Sequence, residues 1–379
     1  TATLKSLGYD WDLKCTNPLK NQYDILLTKQ GTSFRVGAAS SGERELLVYL
    51  FAIYALNVRD ALIVVDEPEL HLHPRWQQTL LGMFERLSRD TGNQFIMATH
   101  SPVFVSPSSI QYVSRVYAES QRSRIVRLGE SELPERKHLF SIVNSQNNER
   151  VFFADLVVLV EGISDRIFFE ALLRHFKVGD GSGKVYEVVG VGGKTLFRQY
   201  EKLLSACHVA YVVIADLDYT REVGTPDLKA LFTVSGQLLK EKVVDDSTSV
   251  DGASLLARLD EAISTGSVED LKPLWEYIKS RQTRLRTDLN EAEQATLNAF
   301  LLEQRKERRF ILSKGALEAY LPIGSRGKDL EKLIRLLSET NFWDQLPQDR
   351  KAELQEIVSG ISALLPEENR PVQTQTANS

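Results

Sequence analysis

The chain has 379 residues, of which 42% are hydrophobic and 26% are charged, and its formal net charge is −5. This composition is typical of a globular protein and excludes a low-complexity chain, while the length favours two domains over one. The two cysteines, Cys15 and Cys207, show no CxxC spacing. They argue against a disulfide framework or a zinc site and predict a cytoplasmic protein. No apolar run is long enough to span a membrane, so we expect no membrane partner.

The first third of the chain alternates strand and helix patterns. In chain order we predict strands within residues 22–36, a helix over 40–57, a buried strand over 61–65, a helix over 74–87, a buried strand over 94–98 and edge strands within 110–128. Strand–helix–strand succession is typical of a mostly parallel sheet covered by helices, which is an α/β fold. We therefore predict a first domain over residues 1–130.

A polar stretch over residues 131–154 predicts a linker, and a second α/β pattern follows over residues 155–366. Its predicted strands cover residues 156–160, 185–189, 210–215 and 309–312, and its predicted helices include residues 165–175 and 196–206. Residues 227–308 are mostly helical and charged, which indicates an insertion. The polar residues 367–379 are predicted to form a disordered tail.

Two adjacent carboxylates, Asp66 and Glu67, follow the apolar strand of the first domain. Nucleotide hydrolysis needs one carboxylate near Mg²⁺ and another that orients water, and Asp66 and Glu67 fit these roles in that order. A second buried strand ends near His100, which could sense the γ-phosphate of a nucleotide. A single acidic pair at a strand end is usually only solvated, so the prediction depends on the order and spacing of all the motifs.

Upstream of that strand, Ser41, Gly42 and Glu43 open a helix, whose N-terminal N–H groups favour phosphate. The run DEPELHLHP over residues 66–74 resembles the Walker B motif and D-loop of ABC-type ATPases, most closely the AAA-like branch related to SMC proteins. In that family an SGE signature precedes Walker B and a switch histidine follows it, which His100 matches. The resemblance covers residues 30–130 and implies ATP binding by an ABC-ATPase C-terminal lobe. It also implies a homodimer, because the signature of one subunit closes on the nucleotide of another.

A GxxxxGK[ST] phosphate loop is absent from the sequence. The GVGGKT run over residues 190–195 lacks the spacing and follows the other ATPase motifs, whereas the family places its phosphate loop before the signature. Either an upstream segment is missing, which the initial residue Thr1 also indicates, or the lobe no longer hydrolyses ATP. We favour a missing segment, because the remaining motifs are intact.

Four carboxylates follow two apolar strands of the second domain. Glu161 ends one strand, Gly162 permits a turn, and Asp165 lies in the first turn of the next helix. Asp216 and Asp218 follow another strand as Asp-x-Asp, and on an extended segment they would point the same way. Carboxylates at the carboxyl ends of parallel strands face one crevice, and packed together they require a cation. Oxygen-only ligands of this kind suit Mg²⁺ or Mn²⁺.

This pattern, with the glycine turn at 190–194, resembles the TOPRIM domain of topoisomerases, primases and certain nucleases over residues 155–220. The run FILSKGALE over residues 310–318 resembles the OLD (overcoming lysogenization defect) nucleases, which fuse an ABC-type ATPase to a C-terminal TOPRIM domain. The resemblance implies Glu318 as a further metal ligand, a two-metal site, and a catalytic lysine at Lys314 or Lys328. Lys194 could contact phosphate, although a solvated lysine is the simpler interpretation.

The acidic motifs and the resemblance to OLD nucleases together imply an ATP-regulated, metal-dependent endonuclease that cuts DNA, with RNA as an alternative substrate, in anti-phage defence. A second defence protein or a nucleic-acid element is a further expected partner. Two alternatives stay open: a topoisomerase- or primase-like enzyme, whose additional domains are not recognisable, and a non-catalytic dimerising scaffold. Two basic runs, 281–286 and 305–309, are either contacts to a phosphate backbone or solvated helix faces.

Overall fold

The computed structural model divides into two compact units, one over residues 1–131 and 135–153 and the other over 132–134 and 154–379. Within these units the structure describes residues 5, 8–70, 72–106, 109–119, 122–130, 133–135, 138–139, 142, 148–232, 252–280, 285–286, 288–322 and 330–365. In the described ranges no helix is long and apolar enough to cross a membrane.

In its described residues the first unit has two long α-helices and three small sheets. Its elements are β1 (Asp10–Asn17), β2 (Gln22–Lys29), β3 (Thr32–Arg35), α1 (Ser41–Ala55), β4 (Leu62–Asp66), α2 (Pro74–Thr91), β5 (Gln94–Ala98), β6 (Ser114–Glu119) and β7 (Arg122–Arg127). β1, β2 and β3 form an antiparallel sheet, β4 and β5 pair in parallel, and β6 and β7 form an antiparallel hairpin. The parallel pair with its helices agrees with the predicted α/β character of this segment. The other five described strands are antiparallel, so the prediction of a mostly parallel sheet is wrong for this unit.

The helix α2 forms the core of the first unit because its apolar residues recur at helical spacing. Leu80, Met83, Phe84 and Leu87 lie three or four positions apart, and each is no more than 2% exposed. The Phe84 ring packs 4.9 Å from the ring of Phe95 on β5. This packing attaches α2 to the parallel strand pair that carries Asp66 and Glu67 at its end.

The two parallel strands of the first unit are buried on one side only. Val65 is buried in the helical core, whereas its neighbour Val64 is 71% exposed, as are 59% of Leu62 and 55% of Ile96. Successive residues of a strand point to opposite faces, and α1 and α2 pack on one of these faces. The prediction of fully buried strands at β4 and β5 is therefore wrong for the other face, which no described residue covers.

The second unit is a larger α/β domain. Its elements are β8 (Leu156–Val160), α3 (Ile163–His175), β9 (Tyr186–Gly190), α4 (Phe197–Ala206), β10 (Ala210–Ala215), α5 (Thr220–Val223), α6 (Pro226–Ala230), α7 (Gly252–Thr265), α8 (Val268–Ser280), α9 (Glu291–Lys306), β11 (Arg309–Ile311), α10 (Leu330–Ser338), α11 (Phe342–Gln345) and α12 (Gln348–Ser362). The four strands form one parallel sheet in the order β11-β10-β8-β9. This sheet is the Rossmann-like arrangement that the sequence predicts.

The central strand β8 is buried on both faces. All five of its residues, LVVLV, are 0% exposed, as expected for a parallel strand covered by helices on each side. Leu156, Val158 and Val160 pack with α3 and with the C-terminal helix α12. A strand held this firmly fixes the position of the residue that follows it, Glu161.

The segment predicted as a linker, residues 131–154, lies for the most part within the first unit, which includes residues 135–153. A short 3-10 helix over Asn148–Phe152 buries Val151 and Phe152. These apolar side chains attach the described end of the stretch to the protein core, although many of its residues are polar. The predicted tail, residues 367–379, falls outside the described residues.

The predicted insertion is mostly helical in its described residues, with α6, α7, α8 and α9 inside residues 227–308 or at their border. Three described arginines of the basic runs, Arg286, Arg305 and Arg309, are paired with acids. Arg286 contacts Glu293 at 2.7 Å, and Arg305 contacts Glu356 at 2.5 Å. Although burial disfavours its charge, the nearby Glu201 carboxylate raises the pKa of Arg309. The ion pairs indicate that these arginines have a structural role. They therefore support neither of the two interpretations, a contact to a phosphate backbone or a solvated helix face.

Candidate functional site

The strand order of the second unit reverses between β8 and β10, because β8 continues to β9 on one side and β10 continues to β11 on the other. In open α/β sheets, ligands bind in the crevice beyond the carboxyl ends of the strands at such a switch point. Leu159 pairs with Val213, so the two strands end at a similar level. Glu161 follows β8 and Asp216 follows β10. We call Glu161, Asp165, Asp216 and Asp218 at this position the acidic end of the sheet.

A glycine turn holds the backbone at Glu161. The amide N–H groups of Gly192 and Gly193 donate to the Glu161 carbonyl oxygen at 3.0 and 3.1 Å. Both glycines have positive φ, +83° and +133°, which side-chain-bearing residues rarely adopt. At the end of β9, a Cβ on Gly190 would lie 3.1 Å from the carbonyl oxygen of Gly162. The Glu161 side chain is half-buried.

Asp165 is held by the helix start that follows β8. Its Oδ2 accepts a hydrogen bond of 2.9 Å from the Gly162 amide, and the residue is only 4% exposed. A carboxylate in the first turn is stabilised by the unpaired N–H groups and the dipole of the helix. Gly162 itself is extended, with φ −142° and ψ −172°, so the turn does not depend on the left-handed conformation of a glycine.

The predicted geometry of Asp216 and Asp218 is wrong in one respect. The chain does not stay extended after β10, because a 3-10 helix over Leu217–Tyr219 begins directly after Asp216. The two carboxylates therefore contact different partners. Asp216 Oδ1 accepts from the Leu317 amide at 3.2 Å, and Asp218 Oδ2 forms an ion pair with Lys194. Lys194 is thus paired and 26% exposed, which corrects its interpretation as a solvated lysine.

The loop after β11 contributes Lys314 and Glu318 to the same end of the sheet. The Leu217 amide donates to the Gly315 carbonyl at 3.0 Å, which joins this loop to the segment after β10. Glu318 lies beside Leu317 and is half-buried, whereas Lys314 is exposed. Lys328 lies outside the described residues. The structure therefore brings Lys314 and Glu318 to the segment that carries Asp216.

The sequence analysis missed Glu353, which fixes that loop from the C-terminal helix α12. Its Oε1 accepts from the Ser313 amide at 2.9 Å. Its Oε2 accepts from the hydroxyls of Ser313 at 2.7 Å and Tyr320 at 2.6 Å. Burial, followed by this hydrogen bond, raises the pKa of Tyr320. No local sequence signal marks Glu353, since its partners lie 33 to 48 positions away along the chain.

The donor set at the acidic end fits a hard divalent cation in chemistry, because it consists of carboxylate oxygens. Asp218 Oδ1 is buried and accepts no hydrogen bond within the described part of the chain, so a cationic or donor partner would satisfy this oxygen. No three His, Cys, Asp or Glu side chains among the described residues are grouped closely enough to hold a metal ion. The metal ligands Glu161, Asp165, Asp216, Asp218 and Glu318 therefore stay predictions.

In the first unit, Asp66 and Glu67 lie at the exposed end of β4, close to the end of β5. The Glu67 amide donates to the Ala98 carbonyl at 2.9 Å, and its Oε1 lies 3.9 Å from Nε2 of His100, which is 87% exposed. Glu67 also has a positive φ of 45°, which is uncommon for a residue with a side chain. The structure thus places the predicted water-orienting acid beside the predicted switch histidine.

Glu69 is a second residue that the sequence analysis missed. Its Oε1 accepts from the Thr99 hydroxyl at 2.6 Å and from the amides of His100 and Ser101 at 2.9 and 3.1 Å. The carboxylate thus ties the segment after β4 to the loop that carries His100. Its position two residues after the acidic pair is the signal that could have identified it.

The predicted signature lies at the start of α1, which begins at Ser41. Gly42 is buried, and a Cβ there would lie 3.2 Å from Leu72 Cδ2 and 3.4 Å from Trp76 Cδ1. The close approach explains the small residue in the motif. The side chains of Ser41 and Glu43 fall outside what the structure describes, so their contact with ATP stays a prediction.

Two protein-family models match the chain. One, an AAA domain described as putative AbiEii toxin of a type IV toxin–antitoxin system, matches residues 12–106. The other, an overcoming lysogenization defect protein-like TOPRIM domain, matches residues 152–218. The first match contains Asp66 and Glu67, and the second contains all four carboxylates of the acidic end. Nucleotide use and divalent-metal use are general properties of these two domain types.

Among curated proteins, the Old nuclease of Escherichia phage P2 is 24% identical over 355 residues, covering 89% of this chain and 57% of that protein. Endonuclease GajA of Bacillus cereus (strain VD045) is 26% identical over 282 residues, covering 68% and 46%. The chain spans about half the length of the curated relatives it matches. A solved SMC head bound to a ScpA winged-helix domain aligns with a TM-score of 0.26 and 23% identity, covering 33% of this chain and 38% of that one. This chain therefore carries an AAA-type ATPase segment followed by an OLD-like TOPRIM domain, and the curated proteins it resembles are nucleases.

Proposed function

We propose that this chain is a divalent-metal-dependent endonuclease that hydrolyses phosphodiester bonds in DNA under the control of ATP, in anti-phage defence. The observation that supports the proposal is the position of the acidic end. Its carboxylates follow two paired parallel strands at the switch point of the sheet, inside the segment that matches an OLD-like TOPRIM domain. The names of the curated relatives, Old nuclease and endonuclease GajA, agree with this reaction class.

In the proposed reaction the acidic end and Glu318 hold Mg²⁺ or Mn²⁺. When bound, such ions lower the pKa of a coordinated water and stabilise the charge of a leaving oxygen. The protein contributes the orientation of its carboxylates: the Gly162 amide holds Asp165, and the Leu317 amide holds Asp216. Lys314, or Lys328 outside the described residues, offsets the negative charge that grows on the phosphate.

The ATPase segment supplies the proposed control. Asp66 would lie near the Mg²⁺ of the nucleotide and Glu67 would orient water, with His100 as the switch at 3.9 Å from Glu67. Ser41, Gly42 and Glu43 would contact nucleotide from the start of α1 of a second copy. This arrangement requires a homodimer, since the signature and the acidic pair then serve the same nucleotide from different subunits.

The nuclease proposal is tested with the full chain on supercoiled plasmid in Mg²⁺ or Mn²⁺, comparing Asp216→Asn with Asp227→Asn. Both changes remove one negative charge, but Asp227 is an exposed residue of α6. Mutation of a residue that only hydrogen-bonds to a metal ligand lowers metal affinity or activity about 10- to 100-fold. Because Asp216 is itself a predicted ligand, we expect Asp216→Asn to slow cutting by at least about 100-fold. Asp227→Asn should cut like the wild type. Equal cutting by both variants would refute the assignment of the site.

The alternatives give different products in the same assay. Relaxation of the plasmid without net cutting would indicate topoisomerase chemistry, and cleavage confined to an RNA substrate would correct the proposed nucleic acid. Absence of any cleavage by the wild-type chain, with partner binding intact, would favour a scaffold. ATP control is tested separately by adding ATP to the wild type and to Glu67→Gln. An unchanged cutting rate in both would remove the regulatory part of the proposal and leave the nuclease.

A further inference from the structure

Lys194 and Asp218 form an ion pair across the switch point of the second unit. Lys194 follows β9 and Asp218 follows β10, and the strand between them is β8. Neighbouring strands lie about 4.8 Å apart, so a side chain that joins the ends of β9 and β10 must cross the end of β8. The Lys194 ammonium therefore lies over the crevice into which Glu161 emerges.

The glycine turn makes this reach possible. Gly192 and Gly193 have φ of +83° and +133°, and Lys194 opens a 3-10 helix over Lys194–Leu196 immediately after them. The turn reverses the chain after β9, and the hydrogen bonds of both glycine amides to the Glu161 carbonyl hold it against β8. The lysine thus starts from a fixed backbone position next to the predicted metal ligands.

The pair satisfies only half of the Asp218 carboxylate. Oδ2 contacts the ammonium, and both side chains are about one-quarter exposed, at 26% and 27%. Oδ1 is buried and accepts no hydrogen bond from the described residues. A buried carboxylate oxygen without a donor is unfavourable, so Asp218 retains capacity for a second positive partner on the side away from Lys194.

We propose that Lys194 is an internal competitor of the divalent cation for Asp218 and thereby sets the metal affinity of the site. This inference rests on the proposed metal-dependent function. A divalent ion and an ammonium that share one carboxylate repel each other strongly at separations near 4 Å in a partly buried site. A metal ion at Asp218 Oδ1 would therefore be repelled by the Lys194 ammonium at Oδ2, and the free energy of that repulsion, or of moving the ammonium away, weakens the apparent affinity.

The test measures Mn²⁺ binding by the full chain. The affinity is obtained by isothermal titration calorimetry or from the electron paramagnetic resonance signal of free Mn²⁺. Lys194→Met removes the charge and keeps much of the apolar stem. Because the repulsion at close range is large, we expect this variant to bind Mn²⁺ at least about tenfold more tightly than the wild type. Lys184→Met is the matched control: it removes the same charge from an exposed lysine just before β9. Its Mn²⁺ affinity should change by less than about twofold because exposed charges are screened.

Lys194→Arg retains a positive charge, and its affinity for Mn²⁺ should stay close to the wild-type value. The competitor role would be overturned if Lys194→Met bound Mn²⁺ no more tightly than the wild type while its thermal unfolding profile was unchanged. If neither the wild type nor any variant bound Mn²⁺, the proposed metal site itself would be wrong. Tight binding by Lys194→Met with weak binding by the wild type and by Lys194→Arg is the result that supports the inference.

Discussion

Glu353 is expected to hold the loop that brings Lys314 and Glu318 to the acidic end, and Glu353→Gln tests this role. The carboxylate accepts four hydrogen bonds, at 2.9 Å from the Ser313 amide, 2.7 Å from the Ser313 hydroxyl, 2.6 Å from Tyr320 and 3.4 Å from the Arg305 guanidinium. The glutamine has the same size but only one acceptor oxygen. Its NH₂ group must face donors that formerly contacted a carboxylate oxygen.

The expected magnitude follows from the number of bonds lost. A hydrogen bond to a charged group contributes about 1.5–3 kcal/mol, and a buried donor left without an acceptor costs a further penalty. Tyr320 is 0% exposed, so water does not replace the lost acceptor. The side-chain oxygen of the glutamine still accepts part of these hydrogen bonds, so only part of the network is lost. We therefore expect the free energy of local opening of the loop to fall by about 3 kcal/mol. This corresponds to about a hundredfold, because 1.4 kcal/mol is a factor of ten.

Hydrogen exchange of the Ser313 and Lys314 amides measures that opening directly. Both amides donate within this network, Ser313 to Glu353 and Lys314 to the Tyr320 hydroxyl at 3.1 Å, and they should exchange about a hundredfold faster in Glu353→Gln. Glu356→Gln is the control on the same helix. Glu356 is 58% exposed and pairs with Arg305, a contact worth less than about 1 kcal/mol at the surface. Exchange rates that are the same in both variants would refute the role of Glu353.

Three further predictions concern stability. Gly360→Ala should destabilise the second unit by about 1–2 kcal/mol in thermal or urea unfolding, because a Cβ there would lie 2.5 Å from Cζ of buried Phe310. Gly82→Ala, in a helix position with nothing within 4 Å of the added Cβ, should stabilise the first unit by about 1 kcal/mol. If both substitutions changed the free energy of unfolding in the same direction, the packing argument would be contradicted. Burial raises the pKa of Tyr219 from 10.0 to about 12. The unfolded chain therefore ionises first, so stability is fully present below pH 10.0 and falls as the pH rises toward 12. Unfolding midpoints above pH 10.0 should fall less steeply in Tyr219→Phe, and equal slopes would count against this shift.

The strands and the acids that follow them could be predicted from the sequence, because both depend on local information. An apolar run such as LVVLV at residues 156–160 is the mark of a strand buried on two faces, and the structure has β8 over the same residues. The strands at 94–98 and 210–215 also agree with the predicted bounds. The order of strands in the sheet then places Glu161 and Asp216 at one crevice.

The contacts of those acids could not be predicted, because they depend on residues distant in the chain. Asp218 meets Lys194 from 24 positions away, and Asp216 meets Leu317 from 101 positions away. The extended geometry expected for Asp216 and Asp218 failed because a 3-10 helix begins between them. Motif spacing reports which residues follow a strand, whereas the backbone path after the strand decides what each side chain contacts.

Two carboxylates of the acidic end are held by backbone amides from two different elements. The helix start holds Asp165 through the Gly162 amide, and the loop after β11 holds Asp216 through the Leu317 amide. A catalytic arrangement needs positions held by rigid second contacts. Changes in either supporting element should therefore displace one carboxylate without altering the charge of the site. The acid motifs alone are consequently insufficient to define the site, since its geometry also depends on the helix start after β8 and, through the loop after β11, on Glu353.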